Sequence, residues 1–315
     1  MTKSTARKNE KILVIKLSAL GDFIQALGPM KAIRAHHKEA HITLLTTKPF
    51  EKFGQKCGYF DEIIIDKRPK MLDLHGWFAL RKKLIAGHYN RIYDLQNNDR
   101  TNLYFRLFPK SKKPEWVGTA KGASHTNLSP QRTAGHAFDG HVQTLALAGI
   151  KNVEIDPMDW INEGLSDFDL KPPYVLLVPG CAPQHPQKRW PADHYAALAN
   201  ALAQKGYQPV ILGTDSEKDV TAKIAGACPQ ALDLTGKTTL FQIIALGKNA
   251  AGAVGNDTGP MHMIAPTKCP CISLFSRHSN PTRHAPKGKN VHVMQSENLE
   301  DLPERPVIEQ ALALF

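Results

Sequence analysis

The sequence predicts an α/β protein that contains two doubly wound parallel sheets. Three observations support this fold class: short β-branched runs alternate with amphipathic segments, an acidic and aperiodic break follows at about 150–172, and the alternation then restarts. Regular alternation of strands and helices is typical of a parallel sheet with helices on both faces. A chain of 315 residues is also long enough for about two domains.

The first half of the chain contains five predicted strands. They are the runs KILVIKL (11–17), HITLLT (41–46), DEIIID (61–66), RIYDL (91–95) and EWVG (115–118). Amphipathic spacing predicts helices over 22–36, 72–87, 100–107 and 138–149. These elements indicate an N-terminal domain at 1–160, followed by a linker at 161–172.

The second domain is predicted at 173–315. Its strands are the runs YVLLVPG (174–180), PVILG (209–213), AGAVG (251–255), CPCISLF (269–275) and NVHVM (290–294). Helices are predicted at about 191–205, from 216 onward, and at the C-terminus in PERPVIEQALALF. Because ligands of such sheets bind beyond the carboxyl ends of the strands, we expect a central cleft between the two domains.

The charge and cysteine content restrict the compartment and the partners. Forty Lys+Arg against 29 Asp+Glu give a formal net charge of +11, which favours anionic partners. No nucleic-acid motif is visible, so nucleic acid is not an expected partner. The five cysteines are scattered and odd in number, and Cys269 and Cys271 are predicted to be core thiols, which indicates a reducing compartment. No run reaches the ~18 apolar residues of a membrane span, and the sequence therefore predicts a cytoplasmic protein.

Two loops that follow predicted strands carry residues suited to chemistry. Asp22 opens a helix after the first strand, where it is either a helix cap or a general base. Gly180 begins a proline-rich loop that ends at Lys188, a cation suited to hold a diphosphate. The alternative for this loop is a solvated surface segment.

The stretch GNDTGPMH places a glycine turn between a strand and a helix. Its candidate residues are Asp257, Thr258, Gly259 and His262. A strand, a tight turn and a helix N-terminus form an arrangement that holds phosphate, and the alternative is an ordinary Asx turn. Aspartic proteases also contain Asp-Thr-Gly, but this chain has one copy, with Pro260 where those enzymes carry Ser or Thr.

In their order and spacing, these stretches resemble the lipopolysaccharide heptosyltransferases and related bacterial glycosyltransferases. The first motif of that family is matched by Lys16, Gly21, Asp22 and Pro29. Its Pro-Gly…Lys-x-Trp-Pro loop is matched by Pro179, Gly180, Lys188, Trp190 and Pro191. Its Asp-Thr-Gly-x-x-His motif is matched by the four residues of GNDTGPMH given above. Weaker matches are YDLQNNDR (93–100) and LFSRHSNPTRHAPKG (274–288), so the resemblance runs along nearly the whole chain.

The resemblance implies a GT-B fold, in which two Rossmann-like domains face a central cleft. The N-terminal domain would bind the acceptor and the C-terminal domain the nucleotide sugar; by analogy, the terminal helix can pack back on the N-terminal domain. The implied reaction is inverting transfer of heptose, or a similar sugar, from an ADP-activated donor to a lipopolysaccharide core or another surface glycan. No cofactor and no obligatory metal are implied. The sequence DFD (167–169) resembles a metal motif but is predicted to be a solvated turn.

The resemblance also assigns roles to residues of this chain. Asp22 would be the general base, and Lys188 would stabilise the departing diphosphate. The expected donor-binding residues are Gly180, Glu217, Asp257, Thr258, Gly259 and His262. Glu217 would contact the ribose, or else it is an exposed helix residue. The loop departs from its relatives at Cys181, Gln184 and His185, where they place Ser or Thr beside the phosphates.

The expected acceptor is an anionic glycolipid, and peripheral contact with the inner membrane surface is compatible with the charge. The clusters RKK (81–83) and KSKK (110–113) either bind such a partner or are solvated faces. Two alternative functions stay open at this point. One is a nucleotide-sugar epimerase of the same fold, and the other is a non-catalytic nucleotide-sugar-binding relative.

Overall fold

The computed structural model describes residues 10–181 and 186–315, and they form two compact units. The first unit ends at Asp156 and the second begins at Pro157. Each unit contains one six-stranded sheet in which every neighbouring pair of strands is parallel. The predicted fold class of two doubly wound parallel sheets is therefore confirmed.

The first unit contains all five strands that the sequence predicts, and one more. Its strands are β1 (Lys11–Ile15), β2 (His41–Thr46), β3 (Glu62–Ile65), β4 (Arg91–Asp94), β5 (Glu115–Gly118) and β6 (His125–Thr126). Its helices are α1 (Leu20–His36), α2 (Glu51–Lys56), α3 (Leu74–Ala86), α4 (Asp99–Arg106), α5 (Gln131–Ala134) and α6 (Ala137–Ala146). The strand order is β3-β2-β1-β4-β5-β6.

The second unit repeats this arrangement. Its strands are β7 (Tyr174–Val178), β8 (Gln208–Ile211), β9 (Leu232–Asp233), β10 (Gly252–Asn256), β11 (Cys271–Ser276) and β12 (Val291–Ser296). Its helices are α7 (Ala192–Gln204), α8 (Lys218–Ala227), α9 (Leu240–Asn249), α10 (Gly259–Ile264), α11 (Pro281–His284) and α12 (Glu304–Leu314). Read from β9, the order β9-β8-β7-β10-β11-β12 has the same topology as the first sheet.

The strand order fixes where a ligand can enter each unit. In the first sheet β1 lies between β2 and β4, and in the second sheet β7 lies between β8 and β10. The direction of winding reverses at these two strands, and the carboxyl ends there form a crevice in folds of this kind. The loops after β1, β4, β7 and β10 are therefore the candidate sites.

Burial of the strands on both faces explains why they are continuous apolar runs. Every residue of β7 is buried, and β1 is buried from Ile12 onward, as expected of parallel strands covered by helices. Trp190 and Tyr195 pack in the core of the second unit with Val307 of the terminal helix α12. Helix α12 contacts α7 and β10, so it packs within the second unit.

The cysteines are core residues, as the sequence predicts. All five are free thiols and all five are buried, including Cys269 and Cys271. Burial raises the pKa of Cys57 to about 12, so this thiol stays protonated at neutral pH.

Candidate functional site

The turn between β1 and α1 holds Asp22 at the carboxyl edge of the first sheet. Helix α1 begins at Leu20, so Asp22 lies in its first turn and not at the capping position. The N–H of Ala19 donates to Asp22 Oδ2 at 3.4 Å, which is long for a hydrogen bond. The Asp22 carboxylate is only partly buried, and this weak contact leaves it available for another donor.

A buried lysine lies behind this turn. Lys16 directly follows β1, is 3% exposed, and donates from Nζ to the carbonyl of Leu95 at 3.3 Å. Burial lowers the pKa of Lys16, whereas the charges of Asp22 and Asp94 raise it. The lysine of the first motif is therefore an interior cation that interacts electrostatically with Asp22 and with a second carboxylate.

That second carboxylate is Asp94, at the end of β4. It is fully buried and accepts hydrogen bonds from the N–H groups of Gln96 and Asn97 at 3.0 and 2.9 Å. Burial raises the pKa of Asp94 to about 6. Gln96 Oε1 in turn accepts from the N–H groups of Leu17 and Ser18, so the Asp-Leu-Gln stretch positions the turn that carries Asp22.

In the second unit the structure brings Lys188 and Asp257 together. Lys188 Nζ lies 3.0 Å from Asp257 Oδ2, and the two side chains are 18% and 11% exposed. The hydroxyl of Ser279 donates to the same carboxylate oxygen at 2.5 Å. Two residues from separate predicted motifs thus form one polar cluster, and Ser279 is a member that the sequence analysis did not identify.

Asn256 is a second residue that the sequence analysis missed. It ends β10, is fully buried, and donates from Nδ2 to the carbonyl of Pro179 at 2.7 Å. Its Oδ1 accepts from the N–H of Trp190 at 3.2 Å and from the hydroxyl of Tyr195 at 3.1 Å. Through these hydrogen bonds, Asn256 holds both ends of the loop that carries Lys188 in place. The signal was available, since Asn256 is an amide at the end of an otherwise apolar strand.

Gly180 and Glu217 lie against each other. A Cβ atom on residue 180 would lie 1.7 Å from Glu217 Oε1, so any side chain at this position would displace the Glu217 carboxylate. Glu217 Oε2 accepts from the N–H and the hydroxyl of Thr214 at 2.7 and 2.9 Å. These contacts hold the carboxylate half-buried beside the loop after β7, and not on the outer face of a helix.

The Asp-Thr-Gly turn leads into α10, as the sequence predicts. Thr258 is the residue before the helix, and Pro260 lies in the first turn, where it supplies no N–H. The N–H of Met261 donates to the carbonyl of Thr258 at 3.2 Å. His262 is buried, at 8% exposed. The backbone donors that remain for an anion at this helix start are chiefly those of Thr258 and Gly259.

An open depression lies beside the Asp257 cluster. It has a volume of about 510 Å³, and its lining residues include Arg277, His278, Ser279 and Gln295. Ser279 joins this depression to Asp257, because its hydroxyl donates to the carboxylate. The late weak motif at 274–288 therefore contributes to the same edge of the second sheet.

Two other features of the sequence are the loop residues that depart from the family and the DFD sequence at 167–169. Gln184 and His185 lie outside the described residues, whereas Cys181 is buried and its carbonyl accepts from Arg189 at 3.3 Å. Asp167 and Asp169 are exposed in a turn. Across residues 10–181 and 186–315, no group of three His, Cys, Asp or Glu side chains lies close enough together to hold a metal ion.

The basic cluster at 81–83 is exposed, and so are Lys110 and Lys113 of the second cluster. Arg81, Lys82 and Lys83 lie on α3, and the Nζ of Lys113 lies 3.7 Å above the ring of Phe105. Within the part of the chain that is described, no helix combines the length and the apolar character needed to cross a membrane.

Comparison with known proteins identifies a family for this chain. The model of glycosyltransferase family 9 (heptosyltransferase) matches residues 77–311. The chain is 26% identical over 299 residues to lipopolysaccharide heptosyltransferase 2 of Salmonella typhimurium, covering 85% of this chain and 83% of that protein.

Solved structures share the fold at lower sequence identity. A family 9 glycosyltransferase of Veillonella parvula superposes with a TM-score of 0.80 at 21% identity, covering 99% of both chains. The heptosyltransferase WaaC of E. coli, solved with ADP, superposes with a TM-score of 0.73 at 18% identity, covering 97% of this chain and 100% of that one. These similarities confirm the GT-B fold.

Proposed function

Because the chain belongs to glycosyltransferase family 9, the heptosyltransferase family, we propose that it transfers heptose from an ADP-activated donor to a lipopolysaccharide core. The observation that carries the proposal is the Lys188–Asp257 pair at the carboxyl edge of the second sheet. It presents a partly exposed cation where a donor diphosphate would bind. The names of the similar proteins support heptose as the sugar and ADP as the nucleotide.

The donor diphosphate would exchange with Asp257 as the partner of Lys188. A lysine that is 18% exposed can reach a ligand, and its ion pair keeps the ammonium in position before the ligand arrives. Hydrogen bonds between an ammonium and phosphate oxygens are among the stronger polar contacts in proteins. Lys188 would then stabilise the negative charge that develops on the departing ADP.

The nucleoside would bind beside Glu217. Thr214 donates hydrogen bonds to Glu217 Oε2, whereas Oε1 faces the space over Gly180. A carboxylate oxygen in that place suits a ribose hydroxyl donor. The N–H groups of Thr258 and Gly259, at the start of α10, would add donors for the phosphates, and His262 would complete this surface.

Asp22 would be the general base of the transfer. It would take the proton of the acceptor hydroxyl while that oxygen attacks the anomeric carbon and the bond from this carbon to the diphosphate breaks. The sugar configuration then inverts. Lys16 lies behind the turn and interacts electrostatically with Asp22, which would help to hold this carboxylate in place for the acceptor hydroxyl.

The acceptor would be an anionic glycolipid that the first unit binds. The clusters at 81–83 and 110–113 supply cations for its phosphates and carboxylates. We propose that the protein works in the cytoplasm, in peripheral contact with the inner membrane surface. Membership of a transferase family favours sugar transfer over the two alternatives, an epimerase or a non-catalytic relative.

A donor panel tests this function directly. The purified chain is incubated with a heptose-deficient lipopolysaccharide core and with ADP-heptose, UDP-glucose or GDP-mannose. The mass of the core is then measured by mass spectrometry. We expect the mass of one heptose to be added with ADP-heptose alone. Thermal shifts with ADP, GDP, UDP and CMP give an independent measurement, since a ligand stabilises in proportion to its affinity for the folded state. Transfer from UDP-glucose alone, or a preference for UDP, would contradict the proposed donor.

A further inference from the structure

An exposed apolar patch lies in the first unit, between β3 and the middle of α3. Its members are Met71, Leu72, Leu74 and Phe78, which we call the 71–78 patch. Leu72 is 93% exposed and Phe78 is 63% exposed. Single exposed apolar residues are ordinary on soluble proteins, whereas four large ones within eight residues indicate an interaction surface.

The segment that carries the patch is braced by hydrogen bonds. The indole N–H of Trp77 donates to the carbonyl of Lys70 at 3.0 Å, and Asp73 accepts from the N–H of Gly76 at 2.8 Å. The guanidinium of Arg100 donates to the carbonyl of Pro69 at 2.7 Å. The apolar side chains are therefore exposed by a turn that is held in place, and not by a loose loop.

Positive charge surrounds the patch. Between residues 67 and 83 the chain has one carboxylate, Asp73, and six exposed cations: Lys67, Arg68, Lys70, Arg81, Lys82 and Lys83. Leu74, Phe78 and Lys82 follow one another at intervals of four on α3 and share a helix face. Apolar residues flanked by cations are typical of surfaces that bind anionic membranes.

We propose that the 71–78 patch seats this protein on the surface of an anionic lipid bilayer. The apolar side chains would enter the boundary between headgroups and acyl chains, while the six cations would contact lipid phosphates. Charge complementarity selects this occupant over a second copy of the chain. A symmetric dimer through the patch would bring two sets of six cations together, which is electrostatically unfavourable.

The position of the patch relates membrane binding to catalysis. The segment 66–73 follows β3 and the turn with Asp22 follows β1, so both lie at the carboxyl edge of the same parallel sheet. Binding through the patch would hold that edge near a lipid-borne acceptor. The inference rests on the proposed function only in taking the acceptor to be a membrane glycolipid.

Vesicle binding of the full chain, without donor or acceptor, is the test. The probe is cosedimentation with phosphatidylglycerol–phosphatidylethanolamine vesicles. We expect the double variant Leu72→Gln, Phe78→Gln to lower the partition coefficient roughly tenfold or more, since less apolar area is buried. The matched control is Leu128→Gln, Leu147→Gln, two exposed leucines of the same unit outside the patch. The control should stay within about twofold of the wild type.

A second pair of variants tests the charges. Lys67→Gln, Lys70→Gln, Lys82→Gln should weaken binding by roughly fivefold per lysine at physiological salt. Three exposed lysines away from the patch provide the control, in Lys31→Gln, Lys38→Gln, Lys52→Gln. This control removes the same net charge and should weaken binding much less, because it leaves the cations beside the apolar residues intact.

Several results would overturn the proposal: equal sedimentation of patch and control variants, equally strong binding of the wild type to neutral phosphatidylcholine, or no vesicle binding at all. Dimerisation lost in the Leu72→Gln, Phe78→Gln variant, without vesicle binding, would assign the patch to a second copy instead. Transfer to a delipidated, soluble core should be unchanged in the Leu72→Gln, Phe78→Gln variant, which shows that this variant folds. If the wild type binds vesicles but transfers no heptose, the proposed function is contradicted, whereas membrane binding through the 71–78 patch is not.

Discussion

Each unit holds a lysine and an aspartate at corresponding places, but only one of the two lysines is open to solvent. Lys16 follows β1 and Asp94 ends the neighbouring β4, whereas Lys188 lies in the loop after β7 and Asp257 follows the neighbouring β10. Because the sheets share one topology, the two pairs lie at or beyond the ends of corresponding strands, although Lys188 lies farther along its loop than Lys16. Lys16 is 3% exposed and Lys188 is 18% exposed.

The difference in burial separates two uses of the same residue pair. Lys16 donates to a backbone carbonyl in the interior, and the charges of Asp22 and Asp94 oppose the lowering of its pKa by burial, so Lys16 supports the turn around Asp22. Lys188 is paired with Asp257 and partly exposed, and we propose that a phosphate replaces this carboxylate partner. We infer that the first pair maintains the fold of a site and the second binds substrate. The following substitutions test that distinction, starting with the largest expected effect.

Asp22→Asn should lower the turnover number by roughly 10²–10⁴-fold, the usual contribution of a positioned base. Asparagine keeps the size of the side chain and can still accept from the N–H of Ala19, so the folded state should be retained. The measurement is the rate of transfer to the lipopolysaccharide core, with the dissociation constant of ADP as control. Near-wild-type turnover of a folded variant would remove Asp22 from the chemistry.

Lys16→Met should lower the free energy of unfolding by roughly 3–5 kcal/mol at pH 7, because the buried Asp94 loses its countercharge. Methionine has a similar volume, so the packing of the site should change little. Urea unfolding measures the effect, and Lys31→Met, at an exposed position of α1, is the control. The affinity for ADP should not change. A loss below about 1 kcal/mol would show that Lys16 is not the countercharge of this site.

Asp94 should make stability depend on pH in acid solution. Its folded pKa of about 6 exceeds the ordinary value of 3.8, so between these pH values the folded chain holds more protons than the unfolded chain. Asp94 therefore contributes on the order of 2–3 kcal/mol to the free energy of unfolding below pH 4, and this contribution is lost as the pH rises through 6.

Asp94→Asn should remove this part of the pH dependence, since asparagine does not titrate and still accepts from the N–H groups of Gln96 and Asn97. Urea unfolding at pH 4.5, 5.5 and 6.5 compares the two proteins. Parallel curves for wild type and variant would mean that Asp94 titrates at its ordinary pKa.

Lys188→Met should weaken ADP binding by roughly 10–150-fold, equivalent to about 1.5–3 kcal/mol for a charge-assisted hydrogen bond. The free energy of unfolding should fall by less than in Lys16→Met, since Asp257 keeps its hydrogen bond from Ser279 and is not fully buried. Calorimetric titration with ADP is the measurement, and Lys205→Met, at an exposed position beyond α7, is the control. Unchanged ADP affinity would place the diphosphate elsewhere.

Ser279→Ala should have the smallest effect. The hydroxyl and Lys188 both donate to Asp257 Oδ2. Without the hydroxyl, Asp257 should bind Lys188 more strongly, and a phosphate would replace Asp257 less readily. We expect ADP binding to weaken by less than roughly tenfold, as for one neutral donor. The same titration checks this, with Ser166→Ala in an exposed turn as control. A loss as large as that of Lys188→Met would indicate that Ser279 itself contacts ADP.

The sequence alone was sufficient for the fold class and for most of the elements. Strands such as KILVIKL and YVLLVPG were predictable because burial on both faces of a parallel sheet requires an unbroken apolar run. The two-residue strands β6 and β9 were missed because they are too short to show any alternation. Helix α9 was also missed, although Thr239 and Gln242 form a capping box at its start.

The candidate site was predictable residue by residue but not as an arrangement. Motif spacing identified Lys188 and Asp257 separately, and only the order of strands in the sheet brings these residues, 69 positions apart in the sequence, within 3.0 Å. Ser279 escaped notice because its role is a contact with a distant turn, whereas Asn256 could have been identified as an amide at the end of an apolar strand. Residue type and local pattern determined which side chains are present. Burial, which depends on how the strands pair, places Lys16 in the interior and leaves Lys188 partly exposed, and for this reason we propose that only Lys188 binds the donor.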